Sequence, residues 1–274
     1  MKLKKILLYL GGLILVLIIA LAIYIYPFYK SFFTSEIIPV DKNLSMITGA
    51  GNSGLLVTDS AVVVIDTKMG SMAKKLYDLA KEKAGTKKII VINTHFHGDH
   101  VKGNHLFKGS VIYIGGYDTA FARKNMDKED MPSVFVADSL ILNLGDETVA
   151  LYNLGQAHTA DDMVVYLRNR KLIFSGDLVF NKINPVLKEG ANVQKWEALL
   201  DRIPKRWDIK TVVPGHGKTG GPELFASLRQ YFLDMEVAAA TKGKVRELRA
   251  KYADWMTMPM MASPKKTIAF LRGK

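Results

Sequence analysis

The chain has 274 residues and no cysteine, which excludes thiolate metal sites, disulfides and a cysteine nucleophile. Apolar residues make up 49% of the chain, enough for a sizeable core, and the low Gly and Pro content excludes a low-complexity protein. The net charge of +12 lies mostly at the ends, since residues 241–274 carry nine Lys or Arg against two acids and the first five residues add three Lys. Because the middle of the chain is close to neutral, a nucleic-acid groove is not indicated.

The first thirty residues predict a membrane anchor. Residues 6–29 carry no charge, and at about 1.5 Å per residue they can span a hydrocarbon core of roughly 30 Å. The lysines before this run place the N-terminus in the cytoplasm by the positive-inside rule, so the following domain is extracytoplasmic. The alternative is a signal peptide cleaved near residues 20–22, which would give a periplasmic or secreted protein. The aromatic residues within 24–29 favour the uncleaved anchor.

After a mixed connector over residues 31–42, apolar and alternating runs predict strands interleaved with helices. Predicted strands cover residues 55–57, 61–65, 88–92, 111–114, 139–142, 148–151, 163–167, 172–174 and 211–213, and predicted helices cover residues 72–83, 193–202 and 223–239. This order predicts a mixed α/β layered domain over residues 43–221. Residues 222–274 predict a helical extension that packs on this domain through an apolar helix face.

A G-x-G-x-x-G pattern occurs at residues 49–54, and Asp66 lies near the place of a ribose-binding acid. A dinucleotide site needs a helix directly after the glycines, whereas here two predicted strands follow, joined by residues 58–60. We therefore expect a turn between strands at this position.

Five of the six histidines lie with acidic residues or glycines in short segments that follow predicted strands. Polar side chains at strand ends meet at the rim of a sheet, where binding sites usually form. Imidazole nitrogen and carboxylate oxygen suit zinc, with iron or manganese also possible. The candidate metal ligands are His95, His97, Asp99, His100, His158, Asp177 and His216.

The order and spacing of these seven residues resemble the metallo-β-lactamase superfamily over about residues 43–221. The segments 155–159, 175–178 and 213–217 are similar to the branch of hydroxyacylglutathione hydrolases and quinoprotein-relay proteins. The resemblance implies a four-layer αβ/βα sandwich with two divalent metal ions at one edge. It assigns one ion to His95, His97 and His158, the other ion to Asp99, His100 and His216, and a bridging role to Asp177.

The same resemblance implies a metal-dependent hydrolase. A hydroxide held between two zinc ions forms near neutral pH and attacks the carbonyl of a thioester, ester, lactone or lactam, with Asp99 orienting it. The centre carries about +1 by formal count, which favours a small, anionic substrate. The alternative is an oxidoreductase with one iron ion, similar to the persulfide dioxygenases of this superfamily. The oligomeric state is left open.

Four further residues are placed to hold the imidazoles in position by hydrogen bonds, with ordinary capping of turns as the alternative. They are Asp66, Thr94, Thr159 and Ser175. His105 is expected to be structural.

Two departures from the family pattern bear on the substrate. Asp177 stands where the commonest zinc β-lactamases have a cysteine, which argues against that activity. Residues 217–221 differ from the Glu-Tyr-Thr segment that follows the last metal histidine in glutathione thioesterases, which argues against glutathione.

Overall fold

The computed structural model describes residues 2–116, 119–188, 190–241, 245–258 and 261–273. Within these residues the strands form two sheets. The first sheet contains β1 (Ile37–Asp41), β2 (Leu44–Ile47), β3 (Ser53–Val57), β4 (Ala61–Ile65), β5 (Lys88–Asn93), β6 (Val111–Gly115) and β7 (Val134–Val136), in that spatial order. The second sheet contains β12 (Thr211–His216), β11 (Leu172–Phe180), β10 (Met163–Leu167), β9 (Thr148–Asn153) and β8 (Ser139–Asn143), in that spatial order.

The helices lie before, between and after these strands. They are α1 (Lys2–Phe33), α2 (Gly70–Ala84), α3 (Gly98–Val101), α4 (Thr119–Asn125), α5 (Val193–Arg206), α6 (Glu223–Ala240), α7 (Val245–Lys251) and α8 (Pro264–Arg272).

The two sheets pack face to face, and helices cover both outer faces. One apolar cluster lies between the sheets and includes Val63 of β4 and Val165 of β10. A second cluster joins the outer face of the first sheet to α2, and a third joins the second sheet to α5, α6 and the chain beyond them. Every residue of β4 and β11 is buried, because each strand is covered on both faces. The expected four-layer αβ/βα sandwich is confirmed.

Parallel pairing determines where the strand ends meet. β4, β5 and β6 run parallel in the first sheet, and β11 runs parallel to β12 in the second. The carboxyl ends of parallel strands share one edge of a sheet. The polar segments that follow β4, β5 and β12 are therefore brought to one rim of the sandwich.

The glycine pattern at residues 49–54 joins β2 to β3, and its last two residues belong to β3, as expected for a turn between strands. The strands β1, β2 and β7 were not predicted from the sequence, and β11 is longer than predicted. β1 lies inside residues 31–42, where a connector is predicted, and pairs antiparallel with β2. β11 continues to Phe180, beyond the predicted 172–174, because Gly176 and Phe180 stay paired with Pro214 and His216 of β12.

The helix α1 includes a window, Leu3–Lys30, that is long and apolar enough to cross a membrane or to serve as a signal sequence. None of this window is buried in the protein. The end of the helix nevertheless contacts the domain, since the backbone N–H of Ala50 donates to the carbonyl oxygen of Phe32 at 2.8 Å and Phe28 packs against the third cluster.

Candidate metal centre

The candidate ligands come together at one rim of the sandwich. The segment with His95, His97, Asp99 and His100 follows β5 and continues into α3. His158 comes from the loop between β9 and β10, Asp177 from β11, and His216 from the last position of β12. The ligand atoms form two groups, in each of which all atoms lie within 4.8 Å of one another.

The first group contains three imidazoles and one carboxylate oxygen. His97 Nδ1 lies 3.1 Å from His95 Nε2 and 2.9 Å from His158 Nε2. The Oδ2 atom of Asp177 lies 3.2 Å from His158 Nε2 and 3.7 Å from His95 Nε2. Ligands of a tetrahedral zinc ion with bonds near 2.0 Å are about 3.3 Å apart. The spacing of this group therefore fits one such ion.

The second group contains Asp99, His100 and His216, and the other oxygen of Asp177 completes it. Asp99 Oδ2 lies 3.6 Å from His100 Nε2 and 3.4 Å from His216 Nε2. Asp177 Oδ1 lies 3.2 Å from His100 Nε2 and 3.4 Å from His216 Nε2. The two oxygens of one carboxylate thus face the two groups.

Two buried atoms in the second group fit a role as metal ligands. Within the described residues, His100 Nε2 and Asp177 Oδ1 have no hydrogen-bond partner. A buried polar atom without a partner costs about 1–3 kcal/mol. A cation between them would remove this cost, and the set of nitrogen and oxygen donors suits a divalent ion.

The two groups differ in the protonation of their histidines when no metal is bound. Burial, with the nearby charge of His158, lowers the pKa of His97 to about 3, so this imidazole is neutral and ready to bind a metal. Burial also opposes the charged form of His216, but the carboxylates of Asp177 and Asp99 outweigh it and raise the pKa of His216 to about 9. A metal ion entering the second group must therefore displace a proton from His216.

Asp66 and Thr94 lie directly behind the ligands. Asp66 Oδ2 is 2.8 Å from His100 Nδ1, and the carboxylate also accepts hydrogen bonds from the backbone N–H and the hydroxyl of Thr94. The Thr94 hydroxyl lies 3.1 Å from His95 Nδ1. These contacts orient one imidazole of each group so that its Nε2 faces the site.

Thr159 and Ser175 act on the backbone beside the ligands. The Thr159 hydroxyl donates to the buried carboxylate of Asp162, which also accepts from the backbone N–H groups of Thr159 and Ala157. These bonds hold the loop that carries His158. The Ser175 hydroxyl donates to carbonyl oxygens of β11 and β12.

The sixth histidine, His105, lies outside both groups. Its Nδ1 is 2.9 Å from Asp130 Oδ1, and the same oxygen accepts from the His105 backbone N–H.

The turn at residues 49–52 packs against the metal centre, which the sequence pattern did not indicate. A Cβ atom on Gly51 would lie 2.6 Å from His100 Nε2. The side-chain amide of Asn52 donates to the carbonyl oxygens of Pro214 and Gly217, on either side of His216. The turn therefore supports ligands from both sheets.

Lys68 fixes this turn and is a second residue that the sequence analysis missed. Its side chain is fully buried, and Nζ donates to the carbonyl oxygens of Gly49 and Gly51 at 2.9 and 2.6 Å. Burial lowers the pKa of Lys68 to about 7, although Asp66 and Asp99 act in the opposite direction. A lysine two positions after Asp66, directly beyond a buried strand, was the available signal.

Comparison with known proteins agrees with this geometry. A model of the metallo-beta-lactamase superfamily matches residues 46–216, and the chain belongs to that superfamily. The metallo-beta-lactamase type 2 of Bacillus cereus is 27% identical over 202 residues, which cover 68% of this chain and 78% of that protein. The corresponding enzyme of Bacteroides fragilis is 26% identical over 200 residues, which cover 69% and 79%. Family membership and the two ligand groups identify a metal-dependent hydrolase.

Solved structures show the same fold. The metallo-beta-lactamase from Pontibacter korlensis superposes with a TM-score of 0.65 at 24% identity and covers 72% of this chain and 99% of its own. The DIM-1 metallo-beta-lactamase gives a TM-score of 0.62 at 20% identity and covers 72% and 95%.

Proposed function

We propose that this protein is a membrane-anchored hydrolase that holds two zinc ions and hydrolyses a small ester, thioester, lactone or lactam, breaking the bond between the carbonyl carbon and its leaving group. The observation that carries the proposal is the position of Asp177, whose two carboxylate oxygens each face a separate group of ligands. A bridging carboxylate of this kind suits two ions better than one.

The residues that would hold the ions follow from the two groups. The first ion would be held by His95, His97, His158 and Asp177 Oδ2, and the second by Asp99, His100, His216 and Asp177 Oδ1. When bound, such ions supply a nucleophilic water at neutral pH and polarise a carbonyl oxygen.

Asp99 is the ligand best placed to act on the attacking water. Its side chain is 19% exposed, whereas that of Asp177 is 5% exposed. The neighbouring charges of His100 and His216 outweigh burial and hold the pKa of Asp99 well below its usual range. Its carboxylate is therefore ionised at neutral pH, so it can accept a hydrogen bond from the water and orient its lone pair toward the carbonyl carbon.

A substrate with negative charge near the scissile bond fits the charges at the site. Lys188 is close enough to His97 to lower its pKa, and Lys218 follows the last ligand by two residues. The aspartate at position 177 and the segment 217–221 support a substrate other than a β-lactam or a glutathione thioester. Residues 155–159 and 213–217 support a relationship to the branch of hydroxyacylglutathione hydrolases and quinoprotein-relay proteins.

The anchoring part of the proposal rests on α1. Its apolar window is exposed, and exposed apolar surface of this length is stable in a bilayer. The lysines before it support an extracytoplasmic domain. We divide the chain into an anchor at residues 1–30, a connector at 31–42 that contributes β1, a catalytic domain at 43–221 and a helical extension at 222–274. A cleaved periplasmic or secreted form is the alternative.

The test is metal analysis of the full-length protein, purified in detergent without added metal, together with hydrolysis of a panel that contains a thioester, an ester, a lactone and a β-lactam. We expect two zinc ions per chain and turnover that a chelator removes. Asp99→Asn should lower kcat by roughly 10²–10⁴-fold, whereas Asp59→Asn, at an exposed carboxylate away from the ligands, should not. One iron ion per chain with oxygen consumption would instead support the oxidoreductase alternative.

A further inference from the structure

A cavity of about 400 Å³ lies between the end of α1 and the metal centre. Its walls include Pro27 and Lys30 of α1, Ile38 of β1, Met46 of β2 and the ligand His216. This volume falls within the roughly 300–1,000 Å³ that ligand pockets occupy. One cavity therefore joins the end of the apolar helix to a residue of the metal centre.

The end of α1 is held against the domain beside this cavity. The carbonyl oxygen of Phe32 accepts from the N–H of Ala50, and Phe28 packs against the apolar cluster that joins the second sheet to α5 and α6. Ala50 lies within the turn that packs on His100. The position of the helix end relative to the metal centre is thus fixed by direct contacts.

The helix also determines the depth at which the cavity lies relative to a membrane. When residues 6–29 cross the bilayer, the last turns of α1, with Pro27 and Lys30, lie at the interface between acyl chains and headgroups. The cavity is lined by these residues and so lies at this level. A molecule that stays in the outer leaflet could then enter from the side without crossing bulk water.

We propose that this cavity binds the acyl chain of a membrane-resident amphiphile, such as a fatty-acyl ester, and directs its carbonyl group to the metal centre; this inference rests on the proposed function and anchoring. The side chains of Pro27, Ile38 and Met46 supply an apolar wall for the chain. Burial of each methylene strengthens binding by about fourfold. Lys30 and Lys218 line the cavity together with one carboxylate, Glu36, and the two positive charges suit an anionic headgroup or leaflet surface.

The test is photo-cross-linking of the full-length protein in phosphatidylcholine vesicles, with a long-chain fatty acid that carries a diazirine in the middle of its chain. The carboxylate of this probe takes the place of the hydrolysable carbonyl, and labelled peptides are mapped by mass spectrometry. We expect label within residues 36–48, which contain β1 and β2, and also along α1. Without a bound chain in the cavity, only the membrane-embedded part of α1 would be labelled.

Matched variants distinguish label that comes from binding in the cavity from label that comes from general contact with the membrane. Ile38→Gln places a polar side chain in the cavity wall, and Thr34→Trp narrows the cavity with a larger side chain at an exposed position. Each variant should reduce label in residues 36–48 by at least about fivefold. Ile37→Gln is the control, since Ile37 is the next residue of the same strand but is 57% exposed and outside the cavity. Thr34→Trp leaves the core intact, so its result does not depend on the stability of β1.

The outcomes distinguish this inference from the proposed function. If residues 36–48 are labelled and both cavity variants reduce this label, acyl binding is supported, even in a protein without hydrolase activity. Label confined to α1, or equal in all variants, overturns the inference, and chelator-sensitive hydrolysis of the substrate panel would then leave the proposed function standing.

Discussion

The carboxylate of Asp66 lies 2.8 Å from Nδ1 of His100, and both side chains are buried. This contact turns His100 Nε2 toward Asp99 and Asp177, where the second group of ligands forms. A carboxylate behind a metal-binding histidine fixes the ring and increases its basicity. In the proposed binuclear centre, the pair would therefore affect the second ion more than the first.

We predict that Asp66→Asn lowers the affinity for one of the two ions by about 10–100-fold. Asp66 has a φ of 61°, a left-handed conformation that asparagine also tolerates, so the backbone should be retained. Zinc affinity is measured by competition with a chromophoric chelator, and Asp59→Asn serves as the control. Equal affinities in wild type and Asp66→Asn would contradict the role of this carboxylate.

Gly51→Ala should disturb the same ligand from the opposite side. The added methyl group would lie 2.6 Å from His100 Nε2, and the ring cannot move away while Asp66 holds Nδ1. Moving the His100 ring out of place should lower turnover about a hundredfold. The measurement is kcat/KM together with bound zinc. Gly12→Ala is the control, because its methyl group would meet no atom within 4 Å, and activity equal to wild type in Gly51→Ala would refute the prediction.

Lys68→Met should destabilise the turn at residues 49–52. The variant keeps the length of the side chain but leaves the buried carbonyl oxygens of Gly49 and Gly51 without their donor, at a cost of about 1–3 kcal/mol for each unsatisfied group. We expect a lower thermal unfolding midpoint and weaker hydrolysis. Lys87→Met is the matched control, since Lys87 is exposed and donates to a single carbonyl oxygen. An unchanged midpoint for Lys68→Met would show that the turn does not depend on this lysine.

The stabilisation that the proton on His216 gives the metal-free protein should be lost as pH rises from about 6.5 to 9. The folded-state pKa of His216 is raised from 6.5 to about 9 by Asp177 and Asp99, which outweigh burial. A raised pKa means that the folded state binds the extra proton, so its stabilisation is fully present below pH 6.5 and is lost through pH 9. Because the lowered pKa of Lys68 and the raised pKa of His100 act over the same range, this contribution is measured as the pH slope of the thermal unfolding midpoint in wild type relative to His216→Gln, both with a chelator.

His216→Gln should lack this contribution, and His105→Gln should leave it in place. Zinc should remove it in the wild type, because the bound ion replaces the proton on His216. Equal slopes between pH 6.5 and 9 in chelated wild type and chelated His216→Gln would contradict the assignment.

The local pattern of the sequence predicted most strands, the long helices and the residues that meet at the rim. Apolar runs bounded by turns are sufficient to locate β4 and β5, because burial on both faces removes polar residues from such strands. The clustering of histidines and aspartates after these strands indicated the ligands. β1 was missed, since its alternation of exposed and half-buried residues is weak and becomes a strand only through pairing with β2.

Residue type and local periodicity were sufficient to predict the chemistry of the donors, the layered α/β fold and the apolar N-terminal helix. Which atoms face each other was not predictable from these local properties. Asn52 supports the loop of His216 from 162 residues away in the chain, and Lys68 and Gly51 reach the centre only after the turn folds against α3. Such contacts depend on how two sheets pack, which no local pattern encodes.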